Sequence, residues 1–203
     1  MSSAALIPAR NSFSGRYPQF VSAACTVPGR LLIGLCATAM VAAAAHVSIP
    51  LPFTPVPLTL QPLAVLGVGL ALGPVDGFLV MLAYLAEGAC GLPVFSPAGP
   101  GGWFQIVGPT GGFLMSYPFV AAIVGGLTRL LTKRTPRFLA ATIGGAVATT
   151  FLFLCGAAWF MQLTHFSLAV TLGKTVLPFL PGEAVKVLAA AGIYCTLART
   201  KRI

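Results

Sequence analysis

The chain has 203 residues, 57% of them hydrophobic and 7% charged, with a mean hydropathy of +0.94 and a net charge of +9. A soluble domain carries roughly 25% charged residues, so this composition excludes a soluble globular protein and indicates an integral membrane protein. The apolar runs are apolar all round instead of alternating at period two, which excludes a closed barrel and leaves helices.

Residues 1–29 are a polar leader with Arg10, Arg16 and scattered Ser, Pro and Phe, and no acid. It reads as a cytoplasmic tail; the other reading, an organellar targeting segment, lacks the amphipathic periodicity it needs. Residues 30–203 read as one membrane domain. The first predicted helix spans Arg30 to Val47 and is Ala-rich. Ala39 and Ala43, four apart, would let a second backbone approach closely, either within the bundle or on a partner subunit.

Ser48 to Leu63, SIPLPFTPVPLTLQPL, is apolar and uncharged, yet Pro50, Pro52, Pro55 and Pro57 forbid a helix. A polar turn is the usual link between two spans, so this stiff segment reads as a lid over a ligand. A short second helix follows over Leu60–Leu72 and ends at Gly73-Pro74. A third covers Val75–Cys90, with Asp76 expected as its N-terminal cap. Residues 91–112, rich in Gly and Pro and carrying Phe95, Trp103 and Phe104, cannot form a straight span. Irregular backbone near a bilayer survives where it is covered by protein or lines a cavity, so this loop is a second candidate wall.

The fourth helix is predicted over Phe113–Leu131, the fifth over Phe138–Leu163 and the sixth over Glu183–Leu197, with a third loop at His165–Gly182. The expected fold is therefore an all-α membrane protein, a compact bundle of six transmembrane helices with structured outer loops. With both termini on the cytoplasmic side of a bacterial inner (plasma) membrane, ten of the twelve Lys and Arg residues fall inside, leaving Lys174 and Lys186 outside. The positive charge thus has an explanation that needs no nucleic acid, and no basic patch interleaved with aromatics is present.

Few polar groups remain to do chemistry. Glu183 and Lys186 are three apart, share a helix face and lie where the outer loops would converge. They form either a capping ion pair or the polar centre of a binding site. Glu87 reads as a carboxyl bonded to a neighbour near a helix end, with a proton relay as the alternative. Gln61, Tyr84, Thr59, Gln105 and Thr110 offer neutral hydrogen bonds, while Phe53, Phe95, Trp103, Phe104 and Phe179 offer apolar surface; this mixture suits a small ligand with an apolar body. The five cysteines, Cys25, Cys36, Cys90, Cys155 and Cys195, read as small buried hydrophobes, with no metal site and no disulfide framework. No hydrolase, metalloprotease or Walker motif occurs, so no enzymatic activity and no cofactor are expected, and active uptake would draw its energy from a partner or an ion gradient.

IPLPFTPVPLTLQ (Ile49–Gln61), GLPVF (Gly91–Phe95), GPTGG (Gly108–Gly112) and PFLPGEAVK (Pro178–Lys186) closely resemble the BioY family of biotin-binding subunits of energy-coupling factor (ECF) transporters. The resemblance implies a six-helix fold whose first outer loop closes over biotin. Its implied partners are a transmembrane coupling protein, docked on the Ala39/Ala43 face, and paired ATPases, within membrane lipid; a homo-oligomer stays open. Matching the ligand's chemistry to the residues gives an expected binding set of Glu183, Lys186, Gln61, Tyr84 and Thr110, with Phe53, Trp103 and Phe104 over the apolar body. Two departures stand out: the family usually has Asp at the place of Glu183, and some members place an Asn where Pro100 stands. Other readings are a subunit for a different vitamin, an intramembrane enzyme using Glu87 or His165, and a scaffold that presents the first helix.

Overall fold

Backbone amides find no water inside a bilayer, so an apolar chain must close its hydrogen bonds within each span. The computed structural model describes residues 27–200, and among them are eight helices and two very short strands. The order is α1 (Val27–His46), β1 (Ser48–Ile49), β2 (Leu58–Thr59), α2 (Gln61–Leu72), α3 (Pro74–Ala89), α4 (Gly102–Val107), α5 (Gly111–Leu131), α6 (Arg137–Thr164), α7 (Leu168–Thr175) and α8 (Leu180–Thr200). Four of them, α1, α5, α6 and α8, are long and apolar enough to cross a membrane, whereas α2 has 12 residues and α3 has 16. The chain is thus a helical, multi-pass membrane protein.

The expectations for residues 1–26 lie outside the described residues; α1 already begins at Val27, three residues before the expected helix start at Arg30. Three further differences concern the loops. The proline lid is pinned at its base by β1 and β2, which pair antiparallel with Ser48 opposite Thr59 and Ile49 opposite Leu58. The Gly-Pro loop and the third loop each contain a helix, α4 and α7. The last helix starts at Leu180, one turn before the expected Glu183, and the Glu183 amide donates to the Phe179 carbonyl at 2.9 Å. Pro181 is tolerated there because a first-turn amide has no intrahelical acceptor to lose.

Small residues bring the spans together. A Cβ added at Gly125 would meet the Gly69 carbonyl oxygen at 2.5 Å, and one at Gly69 would collide with Ala121 and Val124, so α2 and α5 touch backbone to backbone. Between α2 and α3, Gly73 turns at φ +88°, a conformation that suits glycine, with the Arg129 guanidinium packed against it and donating to the Leu72 carbonyl at 3.0 Å. The core around these seams includes Val65, Leu66, Met81, Tyr84, Val120 and Val124, all nearly fully buried.

Helix α1 lies at the edge. Thr38, Val41 and Ala45 face inward, while Leu31, Leu32, Leu35 and Met40 are exposed, as expected of a lipid-facing surface. Asp76 lies in the first turn of α3, where an acid suits the helix N-terminus, and its carboxylate also accepts from the Arg30 guanidinium on α1 at 2.7 Å. The cysteines differ from expectation. Cys36 and Cys90 are exposed and Cys155 and Cys195 half-buried, while Cys25 lies outside the described residues. In a bilayer a small apolar side chain is as well placed toward lipid as toward the core, so an apolar neighbourhood in sequence does not imply burial.

Candidate functional site

The first two turns of α8 place Glu183 and Lys186 on one side, three residues apart, and both are more than nine-tenths buried. Lys186 Nζ donates to Glu183 Oε1 at 2.5 Å. Three buried side-chain oxygens among the described residues have no hydrogen-bond partner: Thr128 Oγ1, Thr171 Oγ1 and Glu183 Oε2. The last belongs to a residue that lines a cavity. Burying an ionised group without full hydrogen bonding is costly, and the free oxygen is left as an open acceptor.

That cavity measures about 60 Å³ and is bounded by all three breaker-rich connections. From the lid come Val56, Pro57 and Thr59, followed by Gln61 and Pro62 at the start of α2. The second loop contributes Ser96, Gln105 and Thr110; the third contributes Thr175 on α7 and Phe179 just before α8. Helices α5 and α6 close the inner end with Phe113, Leu114, Tyr117, Leu152 and Phe153. The result is a largely apolar, partly aromatic chamber with a few polar groups, the composition that suits a small amphiphilic ligand.

Local chemistry explains why the walls hold their shape. The buried Gln105 fastens its own loop: its Oε1 accepts from the Gly101 amide at 3.1 Å and its Nε2 donates to the Ser96 carbonyl at 3.3 Å. The GPTGG turn lies against α6, where Trp159 Nε1 donates to the Gly108 carbonyl at 2.9 Å and no Cβ fits at Gly112. The lid is tied to α7 by Lys174 Nζ, which donates to the Phe53 carbonyl at 2.9 Å.

Of the residues expected at the site, Glu183, Lys186, Gln61 and Thr110 line the cavity together, as do Thr59, Gln105 and Phe179. Tyr84 is fully buried behind it and bonded to Gln61 and to the Val94 carbonyl. Phe95 is also turned away, edge-on to Tyr84 with ring centroids 5.5 Å apart. Phe53, Trp103 and Phe104 do not line the cavity; they are 52%, 59% and 73% exposed. Phe53 sits on the outside of the lid, and the single turn and a half of α4 points Gln105 and Ile106 inward, which leaves Trp103 and Phe104 outward. Their expected place is taken by Phe113, Tyr117 and Phe153, which lie in membrane helices. The i, i+4 spacing of Phe113 and Tyr117 put them on one face, but nothing in an all-apolar helix says which face meets a ligand.

The remaining candidates are occupied elsewhere. Glu87 accepts a hydrogen bond from Thr38 Oγ1 on α1 at 3.1 Å. His165 caps the C-terminus of α6 in the left-handed region at φ 55°, its amide donating to the Met161 carbonyl. Ala39 and Ala43 lie on the exposed side of α1. No group of three or more metal-ligating side chains exists among the described residues.

Comparison with known proteins places this geometry in context. A sequence model of the BioY family matches residues 21–202. The chain is 40% identical over 132 residues to a probable biotin transporter BioY of Pyrococcus horikoshii, covering 65% of this chain and 74% of that one. It is 37% identical over 177 residues to the biotin transporter BioY of Rhodobacter capsulatus, covering 83% and 92%. Its fold matches the crystal structure of the S-component for biotin from an ECF-type ABC transporter with a TM-score of 0.76 at 26% identity, covering 85% of this chain and 92% of that one.

Proposed function

The chain belongs to the BioY family, and we propose that it captures biotin at the outer face of the membrane and takes it up as the substrate-binding subunit of an ECF-type transporter. The observation that carries this reading is Glu183 Oε2, a buried carboxylate oxygen without a donor, on the wall of a chamber bounded by three breaker-rich connections. Biotin brings a ureido ring with two N–H donors and a carbonyl, an apolar thioether ring and a carboxylate tail. A ureido N–H on Glu183 Oε2 would form a charged hydrogen bond worth roughly 1.5–3 kcal/mol. Lys186 holds the other carboxylate oxygen in place, and Phe113, Tyr117, Phe153 and Phe179 cover the apolar body. The prolines stiffen the lid, so closing it over the ligand loses little chain entropy.

The rest of the assembly follows the same reading. Six helices cross a bacterial plasma membrane with both termini inside, α2 and α3 included. The exposed Ala39/Ala43 face of α1 docks the transmembrane coupling protein that carries the ATPases. Calorimetric titration of the purified chain with biotin tests the proposal: Glu183→Gln and Lys186→Ala should each weaken binding at least about tenfold. Undiminished affinity in both variants would refute the site, and stronger competition by thiamine or riboflavin would replace the ligand.

A further inference from the structure

Tyr84 and Gln61 form a short relay that ends at the cavity. The Val94 carbonyl can only accept, so the Tyr84 hydroxyl, 2.7 Å away, must give it its one hydrogen. The hydroxyl oxygen is then left as an acceptor, and it takes a hydrogen from Gln61 Nε2 at 2.7 Å. The amide nitrogen of Gln61 is thereby committed to the side away from the chamber, and the amide oxygen is turned the other way. Gln61 is 3% exposed and lines the cavity, and no group among the described residues donates to its Oε1. Phe95 packs edge-on against the Tyr84 ring and restrains it.

We infer that Tyr84 is a positioning residue for specificity: it orients the Gln61 amide so that the chamber presents a second acceptor beside Glu183. The chamber then offers two acceptors, Gln61 Oε1 and Glu183 Oε2, and selects a ligand with two N–H donors, the signature of a cyclic urea. Tyr84 itself touches no ligand.

The inference rests on the biotin reading, and the test separates the two. The full chain in detergent is titrated calorimetrically with biotin and with the two biotins that carry a methyl group on one or the other ureido nitrogen. In the unaltered protein both methylated ligands bind more weakly than biotin. Tyr84→Phe should reduce the preference for biotin over one of the two isomers about fivefold, because the freed amide can turn its nitrogen inward. Gln61→Met should reduce the same preference, and Tyr84→Phe should add nothing in the Gln61→Met background. A Tyr84→Phe chain that weakens all three ligands equally, with the preference intact, overturns the inference and leaves biotin binding standing. If Tyr84→Phe does not fold, Gln61→Met decides alone: an unchanged preference for biotin over both isomers overturns the inference. Absence of biotin binding to the unaltered protein sinks the functional reading and this inference with it.

Discussion

Asp76 and Glu183 each stand in the first turn of a helix, and each meets a basic side chain, Arg30 at 2.7 Å and Lys186 at 2.5 Å. The Asp76 pair joins α3 to α1 with its side chains 46% and 62% exposed; the Glu183 pair lies within one turn of α8 with its side chains 6% and 8% exposed. The first pair is exposed, and such surface bridges contribute roughly 0–1 kcal/mol. The second pair has lost its water, so each charge depends on the other and on whatever enters the chamber. The same chemistry is therefore a weak fastener in one place and a buried pair on the wall of a cavity in the other.

The largest effect should come from breaking the buried pair. Lys186→Met strands the Glu183 charge and should destabilise the protein by about 3–5 kcal/mol, read as a lower midpoint of thermal unfolding in detergent. The double change Glu183→Gln with Lys186→Met should recover most of that stability and none of the biotin affinity. If it recovered both, the pair would be structural only. Next in size is the contrast between inner and outer aromatics. Phe153→Ala removes part of the chamber wall and should weaken biotin binding about tenfold or more, while Trp103→Ala, on the exposed side of α4, should leave the affinity unchanged; equal losses would erase the distinction.

A smaller effect is expected where lid and α7 meet. Lys174→Ala removes the donor to the Phe53 carbonyl and should speed biotin release about fivefold, the scale of one exposed hydrogen bond, measured as a dissociation rate. The smallest belongs to the exposed pair. Asp76→Asn should change stability by less than about 1 kcal/mol, an effect that shrinks further in high salt, and should leave biotin binding untouched. A large loss of binding would mean that the α1–α3 junction reports to the chamber after all.

Much of the architecture is legible in the sequence. Runs without charge had to be helices, and Pro50 to Pro57 and the glycines of residues 91–112 had to interrupt them, so the helix limits agree within about three residues, well inside the usual uncertainty of element ends. Glu183 and Lys186 could be singled out because charged residues are rare in such a chain and three residues is a helical neighbour distance. The aromatics could not be assigned in the same way. Phe53, Trp103 and Phe104 lie in the right loops but point out, while Phe113, Tyr117 and Phe153 lie in helices and point in. The role of Tyr84 was equally hidden, since its partners Gln61 and Val94 are 23 and 10 residues away.

The order of the chain alone determined that this protein spans a membrane as helices, where those helices stop, and which acid and amine are neighbours, because these follow from local hydropathy, from the missing amide of proline and from helical spacing. Only the tertiary structure decided which side of each helix faces lipid, core or chamber, and which of two similar ion pairs is dry. In a soluble protein polarity marks the outward face; in a bilayer apolar side chains are equally content on every side, so orientation is left to backbone contacts such as Gly69 against Gly125 and to the way three loops close over one turn of α8.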